Sequence, residues 1–286
     1  MIGAVIVAAG EGKRMGGSAR KQFARVGGKP MIAYTLEVFE ALDLVDHMVV
    51  VVPRDSTEWV REEVIEAYGF KKVHAVVGGG EARQQSVYNG LKGLKDKTTI
   101  AVIHDAVRPL VSEALLRRVI DAARKTGAAI TAVPARDTVK QVESGQIVGT
   151  LDRRLLWLAQ TPQAFAYNAI ADAHRKAAEE HFTATDDASL LEKYGTKVTV
   201  AVGSYSNLKI TSPEDMPIFE YFLKQENRSK LHAAQRRPQG ARGRRGDKGQ
   251  KAGEAGQKGK GQKSQGKRNR QRPPRRKRSR QRPRRR

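Results

Sequence analysis

Seven short runs of strand character, spaced so that a helix fits between most of them, constrain this chain more than any other feature. They are Ala4–Ala8, His47–Val52, Lys72–Val77, Thr99–His104, Ala128–Val133, Lys197–Val202 and Leu208–Thr211. Between them apolar residues recur at helical spacing, as in Met31, Tyr34, Thr35, Val38, Phe39 and Leu42, or in Leu115, Leu116, Val119, Ile120 and Ala123. Strand, helix, strand in this rhythm requires right-handed crossovers. The chain is therefore expected to be an α/β protein with a mostly parallel, twisted sheet covered on both faces. In such a sheet ligands sit outside the carboxyl ends of the strands.

Three unusual stretches fall at those ends. The first strand runs into a loop with Gly10, Gly12, Gly16 and Gly17, whose backbone can come close to a ligand. Lys13, Arg14, Arg20 and Lys21 crowd around it, so the expected ligand is anionic, with phosphate oxygens cradled by loop amides. The loop is neither a P-loop nor GxGxxG, because Met15 stands where the third glycine belongs. "GGGEARQQSVYNGL" (Gly78–Leu91) follows the third strand, and "HDAVRP" (His104–Pro109) follows the fourth. All three should converge on one crevice. In the last of them Asp105 offers a carboxylate for a metal or a substrate hydroxyl, and Arg108 a guanidinium for an anion. The structural alternative is a local ion pair in a turn fixed by Pro109. His104 reads as a strand-end residue and not as a base.

Other polar residues read differently. Asp186 and Asp187 of "TDDASLLE" are either a metal pair or, at least as well, the cap of the helix that follows. "SPEDM" (Ser212–Met216) reads as a helix N-cap with Pro213 at the first helical position. The histidines at 47, 74, 174 and 181 are not spaced as ligands and receive no role.

Charge divides the chain in two. Of the net +24, residues 227–286 carry +23, from 25 Lys and Arg against Asp247 and Glu254, which leaves residues 1–226 close to neutral. The second part has no aromatic residue and almost no aliphatic ones, so it is expected to be a disordered basic tail. Its function, if it has one, is attachment to a polyanion such as RNA, DNA or an anionic lipid surface, without the stacking platforms of sequence-specific single-strand binding. The absence of cysteine excludes disulfides, thiolate metal sites and a cysteine nucleophile. No apolar stretch approaches a membrane span and no signal-peptide pattern opens the chain, so a cytoplasmic protein is expected.

"AAGEGKRM", "KQF", "GGGEARQQSV", "HDAVRP", "ARDTVK", "TPQAF", "TDDASLLE" and "GSYSNLKITSPEDM" stand in the order seen in the 2-C-methyl-D-erythritol 4-phosphate cytidylyltransferases, enzymes of the non-mevalonate isoprenoid route. The chain resembles that family over roughly residues 1–225. The resemblance implies a Rossmann-like nucleotidyltransferase fold and the transfer of a cytidylyl group from CTP, with Mg²⁺, to 2-C-methyl-D-erythritol 4-phosphate, releasing pyrophosphate. By matching position, Arg14 and Lys21 would stabilise the transition state, while Arg153 and Lys209 would position the substrate phosphate. Ala8, Ala9, Gly10, Gly12, Gly80, Glu81 and Ser86 would line the CTP pocket. Asp105, Ala106, Arg108, Thr138 and Thr161 would surround the methylerythritol phosphate and the metal, with Asp105 the metal ligand.

The resemblance also implies a homodimer formed through a protruding β-arm, here about Arg136–Arg154, so that Thr138 and Arg153 act in the neighbouring subunit's site. The residues suit such an arm: Val139, Val142, Ile147 and Val148 flank "ESGQ", which reads as a hairpin turn. One departure is Val107, where the family commonly has alanine. The related ribitol 5-phosphate cytidylyltransferases can carry this form, which makes ribitol 5-phosphate the alternative substrate. A nucleic-acid-binding protein acting through the tail is the alternative from another class.

Overall fold

The computed structural model describes residues 1–10 and 20–235, with side chains as far as residue 225. β1 (Ile2–Val7) leads to the glycine loop, then to two short paired strands, β2 (Arg25–Val26) and β3 (Lys29–Pro30), and to α1 (Met31–Ala41). There follow β4 (His47–Val52), α2 (Thr57–Val60, continued as a π-helical turn to Glu66), β5 (Val73–Gly78), α3 (Arg83–Lys92), β6 (Ile100–Asp105), α4 (Glu113–Thr126) and β7 (Ala128–Pro134). A hairpin of β8 (Lys140–Glu143) and β9 (Gln146–Thr150) precedes β10 (Trp157–Ala166). Then come α5 (Tyr167–Glu179), α6 (Asp187–Lys193), β11 (Thr199–Val202) and α7 (Asp215–Gln235).

The main sheet has the order β11-β7-β10-β6-β1-β4-β5. All its pairings are parallel except those of β10, which runs antiparallel to both β6 and β7. Alternation along the central strands sends Ala4, Ile6, Met48, Val50 and Val52 to one face, where they pack with Ile32, Leu36 and Phe39 of α1 and Leu116, Val119 and Ile120 of α4. Val5, Val49 and Val51 point to the other face, against Val87 and Leu91 of α3, Ile170 of α5 and Leu190 of α6. Both faces are covered, as a parallel sheet requires. Gly90 lets α3 lie close on the sheet: a Cβ there would sit 2.3 Å from Val5 Cγ1 and 2.8 Å from Val51 Cγ2. The crossover helix α4 is defined at both ends, by Ser112 Oγ accepting from the Leu115 amide at 3.2 Å and by Gly127 at φ 83°.

The structure departs from the sequence expectation in four places. β10 was not among the expected strands, because Gln160-Thr161-Pro162-Gln163 lacks strand character and Pro is rare inside a sheet. A register shift between Gln160 and Gln163 accommodates it. Leu208–Thr211 joins no sheet; its Ile210 amide donates to the Val107 carbonyl at 2.8 Å instead. α7 begins at Asp215, not at Pro213. The Asp215 carboxylate accepts from the Thr211 and Ser212 amides at 2.7 and 2.9 Å, closing a turn before the helix. Finally, α7 runs to Gln235, past the expected boundary at 226, since no glycine or proline follows Pro217 until Pro238. The remainder of the expected tail, 236–286, lies outside the described residues. Among those described, no helix is long and apolar enough to cross a membrane.

β8 and β9 pair antiparallel around Ser144 and Gly145, which take φ of 48° and 80° as a two-residue hairpin turn demands. Val142, Ile147, Val148, Leu151, Leu155, Trp157 and Leu158 are all exposed on this arm and at its base.

Candidate active site

The carboxyl ends of β1, β4, β5 and β6 come together where the sequence motifs leave them. The Ala8 amide donates to the Val51 carbonyl at 2.7 Å, and the Ala106 amide to the Val7 carbonyl at 2.9 Å, so the start of the glycine loop lies between the ends of β4 and β6. Across β4, Gly79 packs on the loop so tightly that a Cβ would stand 2.3 Å from the Ala9 Cβ and 2.9 Å from Ser86 Oγ. Gln22, buried in "KQF", donates through Nε2 to the carbonyls of Ala8 (2.7 Å) and Gly10 (3.0 Å) and fixes where the loop leaves the strand. Lys21 is buried beside it. At the N-terminus of α3, Ser86 Oγ accepts from the Gly80 amide and Gln85 Oε1 from the Glu81 amide, both at 3.1 Å.

At the end of β6 stands a charged cluster. Lys209 Nζ donates to Asp105 Oδ2 at 2.7 Å, and Arg83 Nε donates to Asp105 Oδ1 at 3.1 Å. The same guanidinium donates through Nη1 to Asp187 Oδ2 at 2.8 Å. Burial alone would raise the Asp105 carboxyl, but the charges of Arg83 and Lys209 outweigh it and hold Asp105 well below the usual carboxylate range. Asp105 is thus a fixed anion. The Asp105 amide donates to Thr161 Oγ1 at 3.0 Å, and Asn207 Nδ2 donates to the Thr161 carbonyl at 2.8 Å, which ties β10 to the segment carrying Lys209.

Arg108 works on that same segment, its Nη1 donating to the Asn207 carbonyl at 2.8 Å, and burial pulls its pKa below the ordinary value. Burial holds His104 down at about 3, so it is neutral, with Nε2 3.2 Å from the Arg108 carbonyl. It is a buried residue near the end of β6, as expected. Val107 turns into an apolar cluster with Val26, Met31, Ile210 and Phe219.

Ala8, Ala9 and Gly10 thus lie against Gly79 and Ser86, with Gly80 bonded to Ser86 and Glu81 exposed, while Asp105, Ala106, Arg108, Thr161 and Lys209 are linked to one another just beyond the end of β6. Thr138 and Arg153 are not brought there; both are exposed on the arm, and Arg153 Nη1 donates to the Arg136 carbonyl at 3.0 Å. Gly12 and Arg14 lie outside the described residues.

Two residues of the site, Arg83 and Gln22, escaped the sequence reading, and Asp187 was read there only as half of a metal pair or a helix cap. Arg83 carried a signal, since a cation in the first turn of a helix opposes the dipole and needs carboxylates from elsewhere. Asp187 is one of these carboxylates, while its neighbour Asp186 is the expected cap, accepting from the Ser189 amide at 3.0 Å. Gln22 showed none beyond its place beside Lys21.

A mostly parallel sheet that gathers the start of a glycine loop, a buried carboxylate and several cations at its carboxyl edge is the arrangement of a nucleotide-handling α/β protein. Residues 2–225 match the profile of the family described as 2-C-methyl-D-erythritol 4-phosphate cytidylyltransferase. A 2-C-methyl-D-erythritol 4-phosphate cytidylyltransferase of Geobacter metallireducens is 51% identical over 226 residues, 78% of this chain and 97% of the relative. Its counterpart in Geotalea uraniireducens is 48% identical over 228 residues, covering 79% and 98%. Among solved structures, the 4-diphosphocytidyl-2C-methyl-D-erythritol synthase of Anaerococcus prevotii superposes with a TM-score of 0.69 at 34% identity, covering 78% of this chain and 98% of that one. The chain belongs to the 2-C-methyl-D-erythritol 4-phosphate cytidylyltransferase family, and it is an enzyme, a CTP-dependent cytidylyltransferase.

Proposed function

We propose that the crevice carries out this transfer with CTP bound along Ala8, Ala9, Gly10, Gly12, Gly80, Glu81 and Ser86, and the polyol phosphate held near Asp105, Ala106, Arg108 and Thr161. A phosphate monoester has a second pKa of about 6, so its attacking oxygen is largely ionised at neutral pH and needs no general base. The neutral, buried His104 accords with this. The bond formed joins that oxygen to the α-phosphorus of CTP, and the bond broken releases pyrophosphate.

The obstacle is repulsion between anions, about 4 kcal/mol for two unit charges at 4 Å and an effective dielectric of 20. Lys21, Arg14, Lys209 and Arg153 would offset it by positioning and charge neutralisation. The observation that carries the reading is the ionised, buried Asp105 with Lys209 and Arg83 upon it, beside the loop that Gln22 and Gly79 shape.

Asp105 also suits Mg²⁺. Among the described residues no group of three or more His, Asp or Glu side chains could enclose a metal. Mg²⁺ in phosphate-transferring enzymes needs only one or two carboxylates beside the substrate's own phosphates, and Asp105 supplies one that stays ionised. When bound, the ion would supply charge neutralisation at the phosphates.

The arm would form a homodimer in which Thr138 and Arg153 complete the partner's site, because among the described residues its apolar side chains, Ile147 64% and Leu155 80% exposed, are left uncovered. Mixing Arg153→Ala and Lys21→Ala chains tests this arrangement. Heterodimers regain activity if the sites are shared, and stay inactive if each site is self-contained. Residues 227–286, with +23 net charge, would add non-specific polyanion binding that weakens steeply with salt.

A further inference from the structure

Arg83 is held from behind by groups that no substrate can touch. Its guanidinium meets two carboxylates at different edges, Asp105 through Nε and Asp187 through Nη1, and its Nη2 has no protein partner among the described residues. Asp187 is 1% exposed. Its second oxygen, Oδ1, lies 3.3 Å from Nε2 of His174, which is wholly buried on α5 and packs on the carboxylate without forming a hydrogen bond to it. The His174 ring in turn stacks on Tyr88 of α3, with centroids 5.8 Å apart and planes 6° from parallel. Arg83 itself opens α3, about a turn and a half before Tyr88. Asp186, the cap of α6, accepts from Gln163 Nε2 of β10 at 2.9 Å, so the start of α6 is tied to the sheet as well.

The arrangement contains more than neutralising one arginine requires. Asp105 alone could balance Arg83, but Asp105 also receives Lys209, so that two cations share one carboxylate. A second carboxylate brings the four groups to neutrality and places the added charge where water does not reach. It also separates two tasks. An arginine held by Asp105 alone would follow that carboxylate whenever the latter took other partners. Resting on the proposed function above, we propose that Asp187, backed by His174, is a positioning residue that anchors Arg83 independently of Asp105, leaving the Nη2 edge to meet a phosphate oxygen of the reacting pair. Arg83 is then a further cation of the transfer, and the Asp187–His174 pair sets its place.

The test uses the full-length chain in five forms: wild type, Asp187→Asn, Arg83→Gln, the double variant and Asp105→Asn. Groups that orient the ligands of a metal site cost about 10- to 100-fold in affinity or activity when removed, and we take the same scale for the group that orients Arg83. Asp187→Asn is expected to lower kcat by that factor with KM for CTP changed less than about threefold, and to add less than about twofold once Arg83 is already glutamine. A loss of equal size in both backgrounds overturns the proposal, because Asp187 would then act by another route.

A second readout needs no turnover. The Nη1–H resonance of Arg83 in a nitrogen-15 spectrum, assigned by its loss in Arg83→Gln, should persist in Asp105→Asn and broaden away in Asp187→Asn, because Nη1 is the group that donates to Asp187. Its survival in Asp187→Asn overturns the anchor. Should Asp187→Asn fail to fold, His174→Gln, which keeps both charges, takes its place in the same cycle and the same spectrum. A wild-type chain inactive towards CTP and the polyol phosphate would contradict the proposed function, whereas the spectrum judges the anchor by itself.

Discussion

Replacing Lys209 with alanine removes the ammonium that lies 2.7 Å from Asp105 and probes the claim that cations, not an acid or base, lower the barrier. The structure sets both sides of the expected result. For stability, the Lys209 side chain is 36% exposed and Asp105 keeps Arg83 at 3.1 Å, so the carboxylate is not left alone. The loss should be near 1–2 kcal/mol, below the 3–5 kcal/mol of a fully broken buried pair, and about 2–4 °C in Tm for each kcal/mol. For catalysis, a unit charge 4 Å from the phosphates is worth up to about 4 kcal/mol, and partial exposure brings this to ~2–4 kcal/mol. At 1.36 kcal/mol for each tenfold, kcat should fall by about 30- to 1,000-fold. Because the charge matters most as negative charge gathers in the transition state, KM for CTP should change by less than about threefold. Steady-state pyrophosphate release and a thermal melt measure both. A rise in KM that matches the fall in kcat would refute the reasoning, as would a collapse in Tm large enough to explain the lost activity.

Further outcomes follow from contacts elsewhere. Gly79→Ala places a methyl 2.3 Å from the Ala9 Cβ and should raise KM for CTP while leaving the Tm within a few degrees, read by the same two assays. Val107→Ala removes two methyls from the cluster with Met31, Ile210 and Phe219; it should cost about 1–3 kcal/mol in denaturant unfolding and leave the ratio of activities on the two polyol phosphates unchanged. His47 is wholly buried, its Nε2 accepts from the Lys95 amide at 3.2 Å, and burial first, then the nearby His74, bring its pKa to about 4. The unfolded chain therefore binds the extra proton below pH 6.5, so stability should fall between about pH 6.5 and 4, by at most about 1.4 kcal/mol per pH unit from this group. Urea unfolding of His47→Gln should show a shallower slope across that window.

Much of the fold was legible because both periodicities were strong. His47–Val52 is a strand with the boundaries its valine run implied, and Leu115 to Ala123 is the buried face of α4. β10 was hidden by its polar centre, where Gln160, Thr161 and Gln163 are buried for their hydrogen bonds and not for hydrophobicity. Leu208–Thr211 looked like a strand because it alternates, yet its backbone serves Val107 and Asp215. At the site, residues at strand ends could be read from position alone, as Asp105 was. Arg83 and Asp187 could not be paired that way, since 104 residues separate them and only the packing of α5 against both α3 and α6 brings them within 2.8 Å.

The measurement that bears most directly on the central claim is pyrophosphate release by the purified full-length chain with CTP and Mg²⁺, given 2-C-methyl-D-erythritol 4-phosphate or ribitol 5-phosphate in parallel. The account predicts release with the methylerythritol substrate, exceeding that with ribitol phosphate by at least about tenfold in kcat/KM. Release with ribitol 5-phosphate alone, or with neither, would contradict it.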